Sequence, residues 1–454
     1  MLGTSNTYRL KARNRDQDFF ERFIQSEKGL PTFLEDPNKL KFENDAQRQM
    51  FNNVRALLEE FEKKKYSQVQ LKTLAGYIIQ KCVIVMVAST DEDMAFRIFN
   101  VLNDRGKDLT ISDILKSEVL EKVPTEELDD YTDKWEDVET MLGADHFKEF
   151  FSHLRAIYAK KKADKAVVNE IRSYVKPADA PRHFINSVLM PYSQAFNQIL
   201  KNAFKSEKFA EPINLQFNRL KRVAHKDWIP CAINFISKYQ NDSEKVRDFM
   251  LQLEKVTLGM EAMKTSLNAR IERYANINQL IDDEKDLYNS ESKLMLSETD
   301  RLNIINTLNR SDLYGKRLVK PVLAKIEEEM NDGSNNLNYD ILNIEHILPQ
   351  TATDKYWLTR FDLEKRIKWT NNLGNLSLVT VRKNSQAKNY DYAKKIEVYF
   401  KADGKASNLA MVNRLQNYKD WTEEFIQNRN QELLNHFLKA VGLEEVPIVK
   451  PVTN

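Results

Sequence analysis

The chain has 454 residues, 42% hydrophobic and 30% charged, with 69 basic residues against 67 acidic ones and a net charge of +2. That length allows two to four domains with sizeable cores, and the near-neutral balance leaves only local basic patches for a polyanionic partner. Few glycines and prolines (eleven and twelve) favour helices over β-sandwiches. No apolar run is long enough to span a bilayer, and MLGTSNTYRLKARNRD holds no signal-peptide core. The expectation is an intracellular, cytoplasmic protein with no membrane partner.

Residues 1–125 alternate helical and strand signals. Met50, Val54, Leu57, Leu58 and Phe61 fall on one face of an amphipathic helix over Asp45–Lys65. The β-branched run Cys82–Ala88 reads as a buried strand, followed by a helix over Glu92–Asn103 and a turn at Asp104-Arg105-Gly106. Ser112 is then expected to cap a helix over Asp113–Leu120. Cys82 and Cys231 stand in apolar contexts, which reads as two buried thiols in a reducing compartment.

From 126 to about 315 the pattern is almost entirely helical, with Val246–Ile271 and Arg301–Leu308 as typical stretches. Lys160–Lys162 and Arg219–Lys226 are local basic clusters that could track a DNA backbone, Arg219 and Arg222 above all. The commoner reading of such runs is a solvated helix face. The remaining histidines, including His146 and His153 seven apart, show no metal-ligand spacing. Beyond 316 the character changes. A helix over Leu318–Met330 is followed by a loop, and two short strands are expected around Ile341–Leu348 and Leu376–Val381. A helix from about Tyr390 to Phe400, a closing helical segment over Asn408–Val441 and a loose tail complete the reading.

The chemistry concentrates between Asn343 and Asn389, which read NIEHILPQ and then LGNLSLVTVRKNSQAKN. Hydrolysing a phosphodiester needs an activated water, a cation to offset charge on the phosphate, and something to hold the base in line. His346 suits the role of base because an unperturbed imidazole titrates near neutrality. Glu345 and an asparagine amide offer hard oxygens for Mg2+ or a similar cation. Successive strand residues face opposite ways, so the strand must end or twist near His346, in keeping with Pro349. Asn375 follows Gly374 in a turn and could fix the loop that carries the base. Taken singly, the Glu-His pair could be a surface pair and the asparagines turn formers; the ordered set is what points to a site.

This segment resembles the His-Asn-His (His-Me finger) nuclease superfamily, and specifically the C-terminal nuclease domain of GmrSD-type, type IV restriction enzymes. The resemblance rests on Glu345-His346-Ile347-Leu348-Pro349-Gln350, on Trp357 or Trp369, on Leu373-Gly374-Asn375-Leu376-Ser377-Leu378, and on Asn384, Asn389 and Lys394. It covers roughly residues 290–440. It implies that His346 is the general base, that Asn375 holds the first strand and its loop, and that Glu345 and Asn389 bind Mg2+ or Mn2+. Asn384 would orient the active-site loop, although either asparagine could reach the metal. Lys388 and Lys394 could contact phosphate, or simply lie on a solvated helix.

The stretch from Ala95 to Thr110, with Asp113 and Lys116, resembles the FxxLNxRGxxLxxxDxxK element in the N-terminal, ParB-like domain of the same enzymes. In that family the domain is associated with nucleotide hydrolysis and with sensing modified DNA, which would make Asn103 and Arg105 cofactor-binding residues. A helix–turn–helix that merely packs, with Arg105 paired to Asp113, is the plainer reading. The family's DGQQR element is not found, and Asp45-Ala46-Gln47-Arg48 lies on an amphipathic helix without the preceding strand or glycine. The expectation is therefore that nucleotide action needs a front half, carried in a fragment's missing part or on a separate chain.

Together these readings give a mainly α protein with a small α+β part, a ββα-metal (HNH) module near the C-terminus. The expected domains are a ParB-like part over 1–125, a helical linker or DNA-binding region over 126–289, the nuclease domain over 290–440, and a tail over 441–454. The expected function is a metal-dependent DNA endonuclease, the effector of a modification-dependent anti-phage enzyme. The alternative is a non-catalytic helical DNA-binding or scaffold subunit of a nucleotide-regulated complex.

Overall fold

A computed structural model of the protein describes residues 10–12, 14–26, 29, 41–83, 110–331, 338–401 and 407–444. The chain divides into two compact units, Met1–Ser117 with Thr132–Lys148, and Glu118–Tyr131 with Glu149–Asn454. Among the described residues it is mainly helical, with one two-stranded sheet, and no helix there is long and apolar enough to cross a membrane.

In the first unit, α1 (Asp45–Lys64) begins where the Asn44 side chain accepts from the Gln47 amide at 2.9 Å, satisfying a donor that the first turn leaves open. Asn44 and Gln47 also donate to the buried Asp16 carboxylate, at 2.8 and 3.1 Å. Its N-terminal half buries Phe51 against Phe42, with ring centroids 5.4 Å apart. Leu57 and Phe61, further along, are exposed. A second helix, α2 (Gln68–Lys81), starts with a Ser67–Gln70 capping box; its apolar residues lie round the whole cylinder and are exposed. Cys82 follows the end of that solvent-facing helix and is exposed too, so of the two thiols expected to be buried only Cys231 is. The rest of the Cys82–Ala88 run, the expected helix over Glu92–Asn103, the Asp104-Arg105-Gly106 turn, and with them Asn103 and Arg105, lie outside the described residues.

Helix α3 (Ile111–Glu121) is capped by Thr110, not Ser112. The Asp113 amide donates to Thr110 Oγ1 at 3.2 Å, and the Thr110 amide donates to Asp113 Oδ2 at 2.9 Å. A box of this kind needs hydroxyl and carboxylate three residues apart, and Ser112 adjoins Asp113. Helix α4 (Leu128–Ala159) is interrupted at Gly143, with φ 72° and ψ 163°, a conformation suited to glycine.

The second unit receives residues of both the 126–289 and the 290–440 segments. Its helices include α5 (Met190–Lys201), α6 (Ala210–Leu220), α7 (Ile229–Tyr239), α8 (Ser243–Ala262) and α9 (Leu267–Asp282). The single helix expected over Val246–Ile271 is thus two, because Lys264 takes a left-handed φ of 57° and Ser266 caps a new helix through the Ala269 amide. Phe235 of α7 stacks on Phe249 of α8 at 3.9 Å. Beyond them come α10 (Glu298–Leu308), with a Ser297–Asp300 capping box, and α11 (Val319–Met330). A buried ion pair, Lys325 to Glu254 at 2.7 Å, ties α11 to α8.

Strand β1 (Leu342–His346) pairs antiparallel with β2 (Leu376–Thr380), with Glu345 opposite Ser377 and His346 opposite Leu376. Between them lie two short helices, α12 (Lys355–Arg360) and α13 (Leu363–Trp369). After β2 the chain enters α14 (Val381–Ala387), packed on both strands, and then α15 (Tyr392–Lys401). The closing segment is broken at Tyr418–Thr422, after which Thr422 caps α16 (Glu423–Ala440). Trp357, Tyr399 and Trp421 are wholly buried in the core that these elements share.

Helix α16 lies hard against the Leu373-Gly374-Asn375 turn. A Cβ on Gly374 would overlap the Ile426 carbonyl oxygen and stand 2.9 Å from Asn430 Cβ, and backbone cannot yield as a flexible side chain can. Gly374→Ala is expected to destabilise the second unit by about 1–3 kcal/mol or more, read as a lower midpoint in denaturant unfolding; an unchanged midpoint would show that α16 is free to move away.

Candidate active site

Neighbouring side chains of a strand point to opposite faces, and β1 uses this at its end. The Glu345 carboxylate turns toward α15, where Oε1 accepts from Lys395 Nζ at 2.6 Å and from the Tyr399 hydroxyl at 2.7 Å. Lys395 donates again, to the His346 carbonyl oxygen at 2.5 Å. All three side chains are buried. Burial pushes the Glu345 carboxyl above its ordinary range, against the pull of Lys395 and Tyr399, and burial pushes the Lys395 ammonium down. A buried charge of either sign is tolerable here because the other sits against it.

His346 turns the other way, into a pocket made by Tyr314 and Asn371. The Tyr314 ring stands edge-on at 4.2 Å between centroids, and Nε2 lies 3.1 Å from Asn371 Oδ1. A carboxamide oxygen can only accept, so the proton belongs on Nε2 and the lone pair on Nδ1. Burial, opposed by the Asn371 hydrogen bond, lowers the imidazole to about 4. The ring is thus neutral at pH 7 with one basic nitrogen.

The segment after His346 is held by Asn375. Its Oδ1 accepts from the Leu348 amide at 2.7 Å, and its Nδ2 donates to the Leu348 and Thr370 carbonyl oxygens at 2.9 and 2.8 Å. Trp421 Nε1 completes the set with a 3.1 Å bond to the same Oδ1. Arg429 of α16 donates to the Gly374 and Leu376 carbonyl oxygens at 2.7 and 2.8 Å, which secures the turn on either side of Asn375. A side-chain amide satisfied at both ends in a dry setting is rigid.

Asn384 of α14 also reaches β1, with Nδ2 donating to the Ile344 carbonyl oxygen at 2.9 Å. Asn389 and Lys388 are exposed in the turn after α14, Lys388 with φ 43°. Lys394 is exposed and pairs with Glu397 at 2.8 Å. Its neighbour Lys395 is the lysine that enters the site. Arg219 and Arg222 do not form an open basic face. Both fold onto Glu328 of α11, at 2.8 and 2.6 Å, and are nearly buried; a guanidinium held by a buried carboxylate is withdrawn from phosphate. Lys160 and Lys161 pair with Asp282 and Asp164.

Asn371, Tyr314, Lys395, Tyr399, Trp421 and Arg429 were missed by the sequence reading. Lys395 and Tyr399 had a signal, since they stand four apart and share the buried face of α15 with Tyr392. Tyr314 and Arg429 had none, because only tertiary packing brings them here.

The lowered imidazole carries a pH signature. A base with folded pKa near 4 stays competent as pH falls from 7 toward 5, so the acid limb of any His346-dependent reaction is expected below 6.5 in kcat/KM profiles. Because burial is the leading cause, Tyr314→Ala should admit water and move that limb up toward 6.5. A wild-type limb at or above 6.5, or one unmoved by the substitution, would contradict the assignment. The same depression contributes stability present above pH 6.5 and lost as pH falls through about 4.

Residues 298–436 match the family model for GmrSD restriction endonucleases, C-terminal domain, and residues 3–120 match that for the GmrSD restriction endonuclease, N-terminal domain. No curated protein matches the chain. The C-terminal match contains every residue of the site just described, and the two domains follow each other in a single polypeptide. The chain belongs to the GmrSD-type restriction endonuclease family.

Proposed function

We propose that the chain is a metal-dependent DNA endonuclease of the HNH, His-Me finger type, the cutting part of a modification-dependent, type IV restriction enzyme. The observation that carries this reading is the buried His346 at the end of β1, its Nε2 bonded to Asn371 Oδ1, in a strand–strand–helix unit, with Asn375 bonded to the backbone that follows it. In this reading Nδ1 takes a proton from water as the water oxygen bonds to phosphorus. The phosphorus–oxygen bond to the leaving sugar breaks, and the leaving oxygen is protonated by solvent. Asn371 holds the ring so that the proton arrives on Nδ1, and the imidazolium so formed is the acid form that solvent must later discharge.

The donor chemistry fits a hard divalent cation such as Mg2+ or Mn2+. Glu345, held by Lys395 and Tyr399 on the face away from His346, would have to leave that pair to offer its carboxylate, whereas Asn384 is tied to the strand by its nitrogen and its oxygen accepts from no described residue. That tether favours Asn384 over the exposed Asn389 as the second ligand. No cluster of three or more His, Cys, Asp or Glu suited to a metal occurs among the described residues, so water and phosphate would fill the other positions. When bound, the cation supplies charge neutralisation at the phosphate.

Purified chain incubated with plasmid and Mg2+ or Mn2+ is expected to nick or linearise it, and EDTA to stop the reaction. His346→Ala should lower the rate about 10²–10⁴-fold without moving the thermal unfolding midpoint by more than a few degrees. Undiminished cleavage by that variant, with contaminants excluded, would end the proposal; no cleavage by the intact protein under any divalent cation would favour a scaffold instead.

A further inference from the structure

The loop over 309–318, between α10 and α11, brings Tyr314 against His346 and then turns at Gly315, with φ 83°. Its next two residues, Lys316 and Arg317, join His225, Glu261, Lys264 and Arg270 around a cavity of about 350 Å3. Four of these six side chains are cationic.

The charges in this cavity are unequally matched. Arg270 Nε donates to Asp227 at 2.8 Å and its Nη1 to the Thr265 carbonyl oxygen at 2.9 Å, and Lys316 pairs with Asp312 at 2.5 Å. Lys264 and Arg317 are exposed, and no described carboxylate forms an ion pair with either. Glu261 is the only carboxylate in the lining, and burial disfavours its charged form against the pull of Arg270 and Arg317. Burial, and then the neighbouring Lys316 and Arg310, lower the Lys264 pKa against the pull of Asp312. Like charges gathered on a concave wall are mutually destabilising, and an anion there would relieve them.

His225 is a second and independent sign. Its side chain is 8% exposed, it lines the cavity, and neither ring nitrogen has a hydrogen-bond partner. The nearest carboxylate oxygens, on Asp227 and Glu261, stand 3.6 and 3.9 Å away. Burial holds the ring neutral, near 4, so one nitrogen carries a proton to donate. A buried polar group without a partner is costly unless a ligand satisfies it.

We propose that this cavity is a phosphate-binding subsite that holds a second backbone phosphate of the nucleic-acid strand presented to His346. The proposal rests on the nuclease reading of His346. Two residues of backbone separate Tyr314 from Lys316, at most about 7 Å, and a duplex strand rises about 3.4 Å per nucleotide. A single strand could therefore run from one site to the other within a few nucleotides. The phosphates of a free nucleotide are the other source with the same chemistry.

The test measures binding with cleavage removed. In the full chain carrying His346→Ala, Lys264→Ala and Arg317→Ala together are compared with Lys205→Ala and Lys208→Ala, which remove equal charge at exposed positions elsewhere on the same unit. The probes are a labelled DNA duplex titrated across salt concentration and a labelled nucleoside triphosphate. For the cavity pair, the slope of log K against log salt is expected to fall by about 1, near 0.9 for the one phosphate no longer neutralised, with little change for the control pair. Loss of triphosphate binding with an unchanged duplex slope would support the phosphate site and assign it to nucleotide. An equal effect of both pairs, or no effect on either probe, would overturn the proposal. His225→Gln, which keeps a donor, should bind better than His225→Ala; equal loss would remove His225 from the site. Because no cutting is required, failure of the nuclease reading would appear separately, as an inert wild-type protein that still binds DNA.

Discussion

The end of β1 depends on one buried ammonium. Lys395 bonds at once to the Glu345 carboxylate and the His346 carbonyl oxygen, so a single cation fixes both the side chain and the main chain of consecutive residues. Removing it would leave a carboxylate buried without a counter-charge, a loss of about 3–5 kcal/mol in comparable buried pairs. With Glu345 captured on the α15 face, the alternation of the strand sends His346 to the opposite face, toward Tyr314 and Asn371. The chemistry of the imidazole is thus set by an interaction on the side of the sheet it does not see.

Asn375 does for the segment after the strand what Lys395 does for the strand. It bonds to both the amide and the carbonyl of Leu348 and carries a bond from Trp421, while Arg429 holds the carbonyls flanking it. Arg429 is buried without a carboxylate in its hydrogen-bond set, and burial lowers it to about 10, so it remains charged at neutral pH. Backbone carbonyls there take the place of an anion, as they do at helix C-termini.

The strand pair, the turn between Gly374 and Asn375 and helix α15 were legible in the sequence because each has a local cause: short apolar runs, a glycine where backbone meets backbone, and apolar residues at helical spacing. Helix α14, capped by Thr380 through the Lys383 amide, was not, since Val381 continues the apolar run of β2. The break between α8 and α9 was hidden because apolar periodicity continues through it, while the left-handed Lys264 leaves no compositional trace. Basic residues misled for a related reason. Charge counts along the chain gave Arg219 and Arg222 a surface role, yet their partner, Glu328, stands more than a hundred residues later. Lys264, Lys316 and Arg317, scattered in sequence, form the denser cluster. Tyr314 and Asn371 could not be read at all, since an aromatic and an asparagine acquire meaning only from the ring they enclose.

The bonds that secure the LGN turn come from 46 and 55 positions further along the chain. A polypeptide leaves the ribosome from its N-terminus, and contacts at such separation form only after the later partner has emerged. His346 and both strands would therefore be synthesised well before Trp421 and Arg429 can dock. During that interval the backbone beside the imidazole lacks its fastening. The closing helix, last of the described helices in chain order, thus carries the residue that completes the fastening of the LGN turn.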